Sequence, residues 1–174
     1  MLPETVDLRL VVTHLSRLLL SSHGQEGVTP ATPGPEHQPA LVTDETLPVR
    51  ILRNVVSNAL KFTERGEVSL TVTADPESAA PAVLFTVTDK GVGIPSAEID
   101  RVFEAFYQVR GPLQSKRTGT GPGLPYARTL TELLGGALIL TSQVGVGARV
   151  RTRLSDLGHL YTKEPDAGGT NRDR

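Results

Sequence analysis

Asp89-Lys90-Gly91-Val92-Gly93-Ile94-Pro95 follows an alternating apolar run, Val83-Leu84-Phe85-Thr86-Val87-Thr88. The carboxylate of Asp89 is therefore expected at the mouth of a strand, where two glycines bend the chain. Thirty-one positions upstream of Asp89, counted from Asn58, lies a second polar set. Asn54, Asn58 and Lys61 recur at helical steps and share one stripe of a helix. A third set, Gly119-Thr120-Gly121-Pro122-Gly123-Leu124, stands just before the last helical pattern.

Each set suggests a definite chemistry. Amide oxygens of Asn54 and Asn58 can face a hard cation without cancelling its charge, and Mg²⁺, which keeps most of its waters, needs few protein ligands. Lys61 supplies a point charge for phosphate. Glycines at 119, 121 and 123 let main-chain N–H groups approach an anion at a helix N-terminus, where the dipole favours negative charge. Asp89 can accept a hydrogen bond from an exocyclic amine such as adenine N6, and Gly91 and Gly93 let a flat base come near the backbone. Any one of these motifs is also an ordinary turn, loop or solvated helix face. Together and in this order they describe a site for Mg-ATP. The cationic residues Lys116 and Arg117, in a segment without periodicity, are read either as solvated or as phosphate contacts.

The elements that position these residues are legible along the chain. Val6 to Leu19 recurs at three- and four-residue steps, which predicts an amphipathic helix over 5–21. Prolines at 30, 33, 35 and 39 make 22–39 a loop without helix or central strand. A short strand at 40–42 precedes a helix over 46–63, with Asp44 as its N-cap and Pro48 tolerated in its first turn. Strands 67–74 and 82–89 form an antiparallel hairpin. Ile99, Val102, Phe103 and Phe106 suggest short helical turns over 97–106. A helix from Leu124 to Leu134 ends at Gly135-Gly136, and strands at 137–142 and 148–154 flank a glycine turn. The expected class is α+β, a two-layer sandwich with a mixed, mostly antiparallel sheet and helices on one face.

Composition narrows the functions further. With 174 residues, a net charge of −1 and 4% aromatic residues, the chain is one globular domain over 1–155. It lacks the field and the stacking surfaces of a nucleic-acid binder. Residues 156–174 read as a polar, disordered tail. Cysteine is absent, so disulfides and thiolate chemistry do not arise. The four histidines, His14, His23, His37 and His159, are scattered without metal-ligand spacing. No basic leader or apolar run of membrane-spanning length is present, so a cytoplasmic location is expected.

Residues 51–63, 89–95, 102–109 and 119–124 resemble, in order, the N, G1, F and G2 boxes of the catalytic and ATP-binding domain of sensor histidine kinases. These belong to the GHKL superfamily, with the type II topoisomerase, Hsp90 and MutL ATPases. The resemblance covers roughly residues 5–155 and implies the Bergerat ATP-binding fold, ATP with Mg²⁺, and a mobile lid over 107–122. It places the metal on Asn58 and the catalytic set on Asn54, Asn58 and Lys61. Nucleotide contacts are implied for these three and for Asp89, Gly91, Gly93, Ile94, Phe106, Lys116, Arg117, Gly119, Thr120, Gly121, Gly123 and Leu124.

In the hydrolysing branches a glutamate stands where this chain has Asn54. Phosphoryl transfer to a protein is therefore favoured over hydrolysis, with a phosphoacceptor histidine domain or a response regulator as partner. The phosphoacceptor histidine motif itself is not seen, since Thr13-His14-Leu15-Ser16 does not match it. Two alternatives follow from that: a truncated or degenerate docking module, and a free-standing serine kinase of the anti-sigma type. Pro122 and Pro125 also depart from the family pattern. Pro125 fits a helix first turn, whereas Pro122 removes an N–H from the phosphate cradle and is expected to weaken ATP binding.

Overall fold

The structure is a computed structural model that describes residues 4–6, 8–21, 32–33, 41–43, 46–78, 81–109 and 123–155. In chain order the elements are β1 (Glu4–Val6), α1 (Leu8–Ser21), β2 (Thr32–Pro33), β3 (Leu41–Thr43), α2 (Thr46–Phe62), β4 (Val68–Ala74) and β5 (Ala82–Asp89). Two 3₁₀ turns follow, Ser96–Glu98 and Arg101–Phe103, and then α3 (Gly123–Leu133), β6 (Ala137–Gln143) and β7 (Gly147–Ser155).

Five strands form one sheet in the order β2-β4-β5-β7-β6, antiparallel throughout except for the β2–β4 pair. The α+β sandwich with a mixed, mostly antiparallel sheet is thus the observed architecture. Alternation decides which side of it is covered. Val68, Leu70 and Val72 of β4, Val83, Phe85 and Val87 of β5, Val150 and Leu154 of β7, and Leu138 and Leu140 of β6 are buried on one face. Ile51, Leu52, Val55, Val56 and Ala59 of α2 share that core with Leu8, Val11, Val12 and Leu15 of α1 and Ala127 of α3. Phe85 sits fully buried at its centre. The spacing that makes α2 amphipathic also leaves Asn54, Asn58 and Lys61 half-buried along its margin.

Three boundaries differ from the sequence reading. The first helix begins at Leu8, because Glu4–Val6 instead pairs antiparallel with β3 in a separate two-stranded sheet. Thr32–Pro33, inside the segment read as loop, pairs in parallel with β4 as an edge strand, the place in a sheet that tolerates proline. The helical pattern over 97–106 stops at Phe103, since Glu104 is extended and Phe106 has a φ of 63°. Pro48, by contrast, lies buried near the start of α2 as expected. The expected N-cap Asp44, most of the loop 22–39 and the tail 156–174 fall outside the described residues.

Candidate functional site

Parity along β5 aims the acid. Val83, Phe85 and Val87 point into the core, so Asp89, two positions on, points the same way at the strand's end. There the core layer stops and a cavity of about 400 Å³ begins, lined by Asp89, Val92, Gly93, Ile94, Leu140, Ala148 and Val150 at its sheet end. Oδ1 of Asp89 accepts hydrogen bonds from Gly91 N at 2.8 Å and Ala148 N at 3.2 Å. Oδ2 takes part in neither. Burial pushes the Asp89 carboxyl above the usual carboxylate range, against the opposing pull of those two backbone N–H groups.

The loop after Asp89 is stitched to its surroundings. Val92 N donates to Phe62 O at 3.3 Å, Gly145 N to Val92 O at 2.8 Å, and Ile94 N to Ser142 Oγ at 2.8 Å. Gly93 has a φ of 71°, and a Cβ there would run into the Gln143 carbonyl, so only glycine lets the loop lie this close to the β6–β7 turn. At Gly91 a Cβ would meet the Phe62 carbonyl.

At the other end of the cavity stand Asn54, Ser57, Asn58 and Lys61 of α2 and Gly123, Leu124, Pro125 and Tyr126 of α3. Asn54 donates its amide to Arg50 O at 2.9 Å, which leaves its oxygen for the cavity side. The start of α3 rests directly on the asparagines: a Cβ on Gly123 would lie 3.2 Å from Asn58 Nδ2 and 3.6 Å from Asn54 Oδ1. Neutral amide oxygens are thus brought to a helix N-terminus, where main-chain N–H groups without helical partners favour an anion. Pro125 occupies the first turn of α3, where its missing N–H has no helical acceptor in any case.

The fold brings together Asn54, Asn58, Lys61, Asp89, Gly93, Ile94, Gly123 and Leu124 of the expected set, with Gly91 behind Asp89. Phe106 is not among them: its left-handed backbone turns the chain, the residue is 79% exposed, and Tyr107 lines the cavity instead. Tyr107 is held by a bond from its hydroxyl to Glu98 at 3.0 Å and by the Arg101 guanidinium 4.1 Å above its ring. Lys116, Arg117, Gly119, Thr120, Gly121 and Pro122, and most of the expected lid, lie outside the described residues. Among the lining residues that the sequence reading missed are Val102, Tyr107, Leu140, Ala148 and Val150. The last three lie on the strands expected at 137–142 and 148–154, whose pattern does not locate where the core opens.

Among the described residues no group of three or more His, Cys, Asp or Glu could hold a metal ion. A cation here would have to take asparagine oxygens together with ligand phosphates.

The profile of the family described as histidine kinase-, DNA gyrase B-, and HSP90-like ATPase matches residues 43–157. The chain belongs to this family. Sensor proteins are among its relatives in this family. It is 45% identical over 106 residues to the virulence sensor protein BvgS of Bordetella bronchiseptica, which covers 60% of this chain and 9% of BvgS. It is 37% identical over 150 residues to the aerobic respiration control sensor protein ArcB of Escherichia coli, which covers 83% of this chain and 18% of ArcB. The chain thus spans less than a fifth of the length of either relative.

Among solved structures, full-length ShkA in complex with AMPPNP superposes with a TM-score of 0.72 at 29% identity, covering 88% of this chain and 31% of ShkA. The mycobacterial sensor histidine kinase MprB, at 23% identity and a TM-score of 0.71, shares the fold over 88% of this chain and 97% of its own. With the family profile and these sensor relatives, the domain is an ATP-binding domain of the sensor histidine kinase type, as its four boxes imply. No helix among its described residues is long and apolar enough to cross a membrane.

Proposed function

We propose that the domain binds ATP with Mg²⁺ and transfers the γ-phosphoryl group to a histidine on a separate phosphoacceptor domain of a two-component system, in the cytoplasm where ATP is available. The observation that carries this reading is that one cavity has Asp89 at its sheet end and Asn54, Asn58, Lys61 and the start of α3 at the other. Asp89 accepts the adenine amine, and Val92, Ile94, Leu140, Ala148 and Val150 supply the apolar walls. Asn58, with Asn54 beside it, offers the oxygen for Mg²⁺, Lys61 the phosphate charge, and the N-terminus of α3 the anion site. When bound, Mg²⁺ neutralises the charge that develops on the phosphates during transfer. Asp89 is the only carboxylate among the described lining residues, and it serves the base end, so the phosphate end has no evident base for water. That favours transfer over hydrolysis. Lys116, Arg117, Gly119, Thr120 and Gly121 are proposed to close over the phosphates.

Incubating the chain with γ-labelled ATP, Mg²⁺ and an isolated phosphoacceptor domain of a sensor kinase tests the reading. Acid-labile phosphate on the acceptor histidine is the expected result. Acid-stable phosphoserine on an anti-sigma antagonist would indicate the serine-kinase alternative. Saturable nucleotide binding with no transfer to either acceptor would indicate a docking module.

A further inference from the structure

Among the described residues, the sheet face opposite the helices carries a row of cations with no acidic side chain beside them. Residues 149, 151 and 153 of β7 alternate with the buried Val150, Thr152 and Leu154, so Arg149, Arg151 and Arg153 all project to that outer side. Their cross-strand neighbours are small or uncharged: Thr88 and Thr141 beside Arg149, Thr86 and Ile139 beside Arg151, Leu84 and Ala137 beside Arg153. On β4 the same face shows Ser69, Thr71 and Thr73. No Asp or Glu of β4 to β7 shares it, since Asp89 points to the helices. The ion pairs among the described residues, Lys90–Glu67, Arg101–Glu104 and Arg128–Glu132, use none of the three arginines. Nε of Arg153 is buried without a hydrogen-bond partner.

Three like charges at alternate positions of one strand repel each other, and no acidic side chain of the described strands offsets the repulsion on this face. Their backbone spacing is about 7 Å, two residues of a strand. It equals the spacing of every second side chain in another extended chain. The exposed Ile139, beside Arg151, adds an apolar contact. The chain as a whole, at a net charge of −1, lacks the field that gathers nucleic acid, so the stripe is a local feature suited to local charge complementarity.

We propose that this outer face, centred on Arg149, Arg151 and Arg153, is a docking surface for an extended acidic segment of a partner protein, with carboxylates at alternate positions meeting the three guanidiniums. Arginine suits this role because its planar fork pairs with a carboxylate through two hydrogen bonds. The surface lies on the far side of the sheet from the nucleotide cavity, so partner and nucleotide can be bound together.

The test is a titration of the full isotope-labelled chain with an acetylated (Glu-Thr)₄ peptide, followed by amide and arginine side-chain NMR shifts. A (Gln-Thr)₄ peptide and an oligothymidylate of matched charge serve as controls. Expected are shifts centred on Arg149, Arg151, Arg153 and Ile139 with the acidic peptide and not with its glutamine counterpart. Replacing Arg151 by glutamine should weaken binding by up to about fivefold, the upper range for an exposed ion pair. R149Q/R151Q/R153Q should abolish it, and nucleotide binding by the triple variant should be unchanged and report that the fold is intact. Shifts that are absent, or that survive the triple substitution, would overturn the proposal. Equal or tighter binding of the oligothymidylate would replace the protein partner with nucleic acid. A face whose shifts already respond to D156N/E164Q/D166N in the chain alone would be one occupied by the chain's own C-terminal segment, which also overturns it.

Discussion

Ser142 Oγ accepts a 2.8 Å hydrogen bond from the amide of Ile94, 48 positions earlier in the chain, and donates one of the same length to the Gly147 carbonyl. One hydroxyl thereby joins the loop after Asp89 to the turn that presents Ala148, and Ala148 in turn donates to Asp89. The base end of the cavity is held as a unit.

Ser142→Ala removes the partner of a half-buried N–H and of a carbonyl at once. A loss of about 1–2 kcal/mol of stability is expected by urea denaturation, together with weaker nucleotide binding by calorimetry. Ser142→Thr, which keeps the hydroxyl, should restore most of the binding. Equal nucleotide affinity in the alanine variant would show that the staple does not position the site.

Asp89→Asn separates binding from stability. The asparagine oxygen can still accept from Gly91 and Ala148, which turns its NH₂ toward the base amine, donor against donor. Nucleotide affinity should fall by about ten- to a hundredfold, the worth of a hydrogen bond to a charged group. Burial raises the Asp89 pKa, so its ionised form costs the fold stability at neutral pH, and the variant should melt no lower than the parent. A clearly lower melting temperature would contradict that burial dominates this carboxyl.

The pH dependence follows from the same shift. With a folded-state pKa above the unfolded one, Asp89's contribution to stability is fully present below the unfolded pKa and is lost as pH rises through the folded value. Nucleotide binding runs the other way, because the acceptor must be ionised. Affinity should begin to fall, as pH is lowered, above the range of an ordinary aspartate, and Asp89→Asn should flatten the profile.

Two glycines with similar backbone angles should respond differently to alanine. At Gly145, φ 77°, nothing lies within 4 Å of a new Cβ, so the left-handed conformation alone costs about 1 kcal/mol. At Gly93, φ 71°, the Cβ would also strike the Gln143 carbonyl, and the loss should exceed about 2 kcal/mol. Denaturation midpoints of the two variants, compared side by side, check the order.

Thr152 is 1% exposed between Phe85 and Leu138, and its hydroxyl has no hydrogen-bond partner. Valine has nearly the same shape and no polar group to strand. Thr152→Val should leave stability unchanged or raise it by up to about 1 kcal/mol, measured by thermal melting.

The sequence by itself determined what depends on local periodicity. Strand parity sent Asp89 to the face of Val83, Phe85 and Val87, and helical spacing put Asn54, Asn58 and Lys61 on one margin of α2 beside a buried stripe. Both patterns arise within one element and need no partner to be read. Only the tertiary structure decided that β7 lies between β5 and β6, in a register that sets Ala148 opposite Asp89 and Ser142 opposite Ala148. The two hairpins are legible separately, but nothing in either period states that β5 and β7 pair. Phe106 shows the same limit in reverse. Its helical step from Phe103 placed it on the inward face, whereas a single left-handed residue turned it out to solvent and brought Tyr107 in. Periodicity reports which face a residue shares only while the backbone stays regular, and the cavity forms where regular backbone ends and distant segments meet.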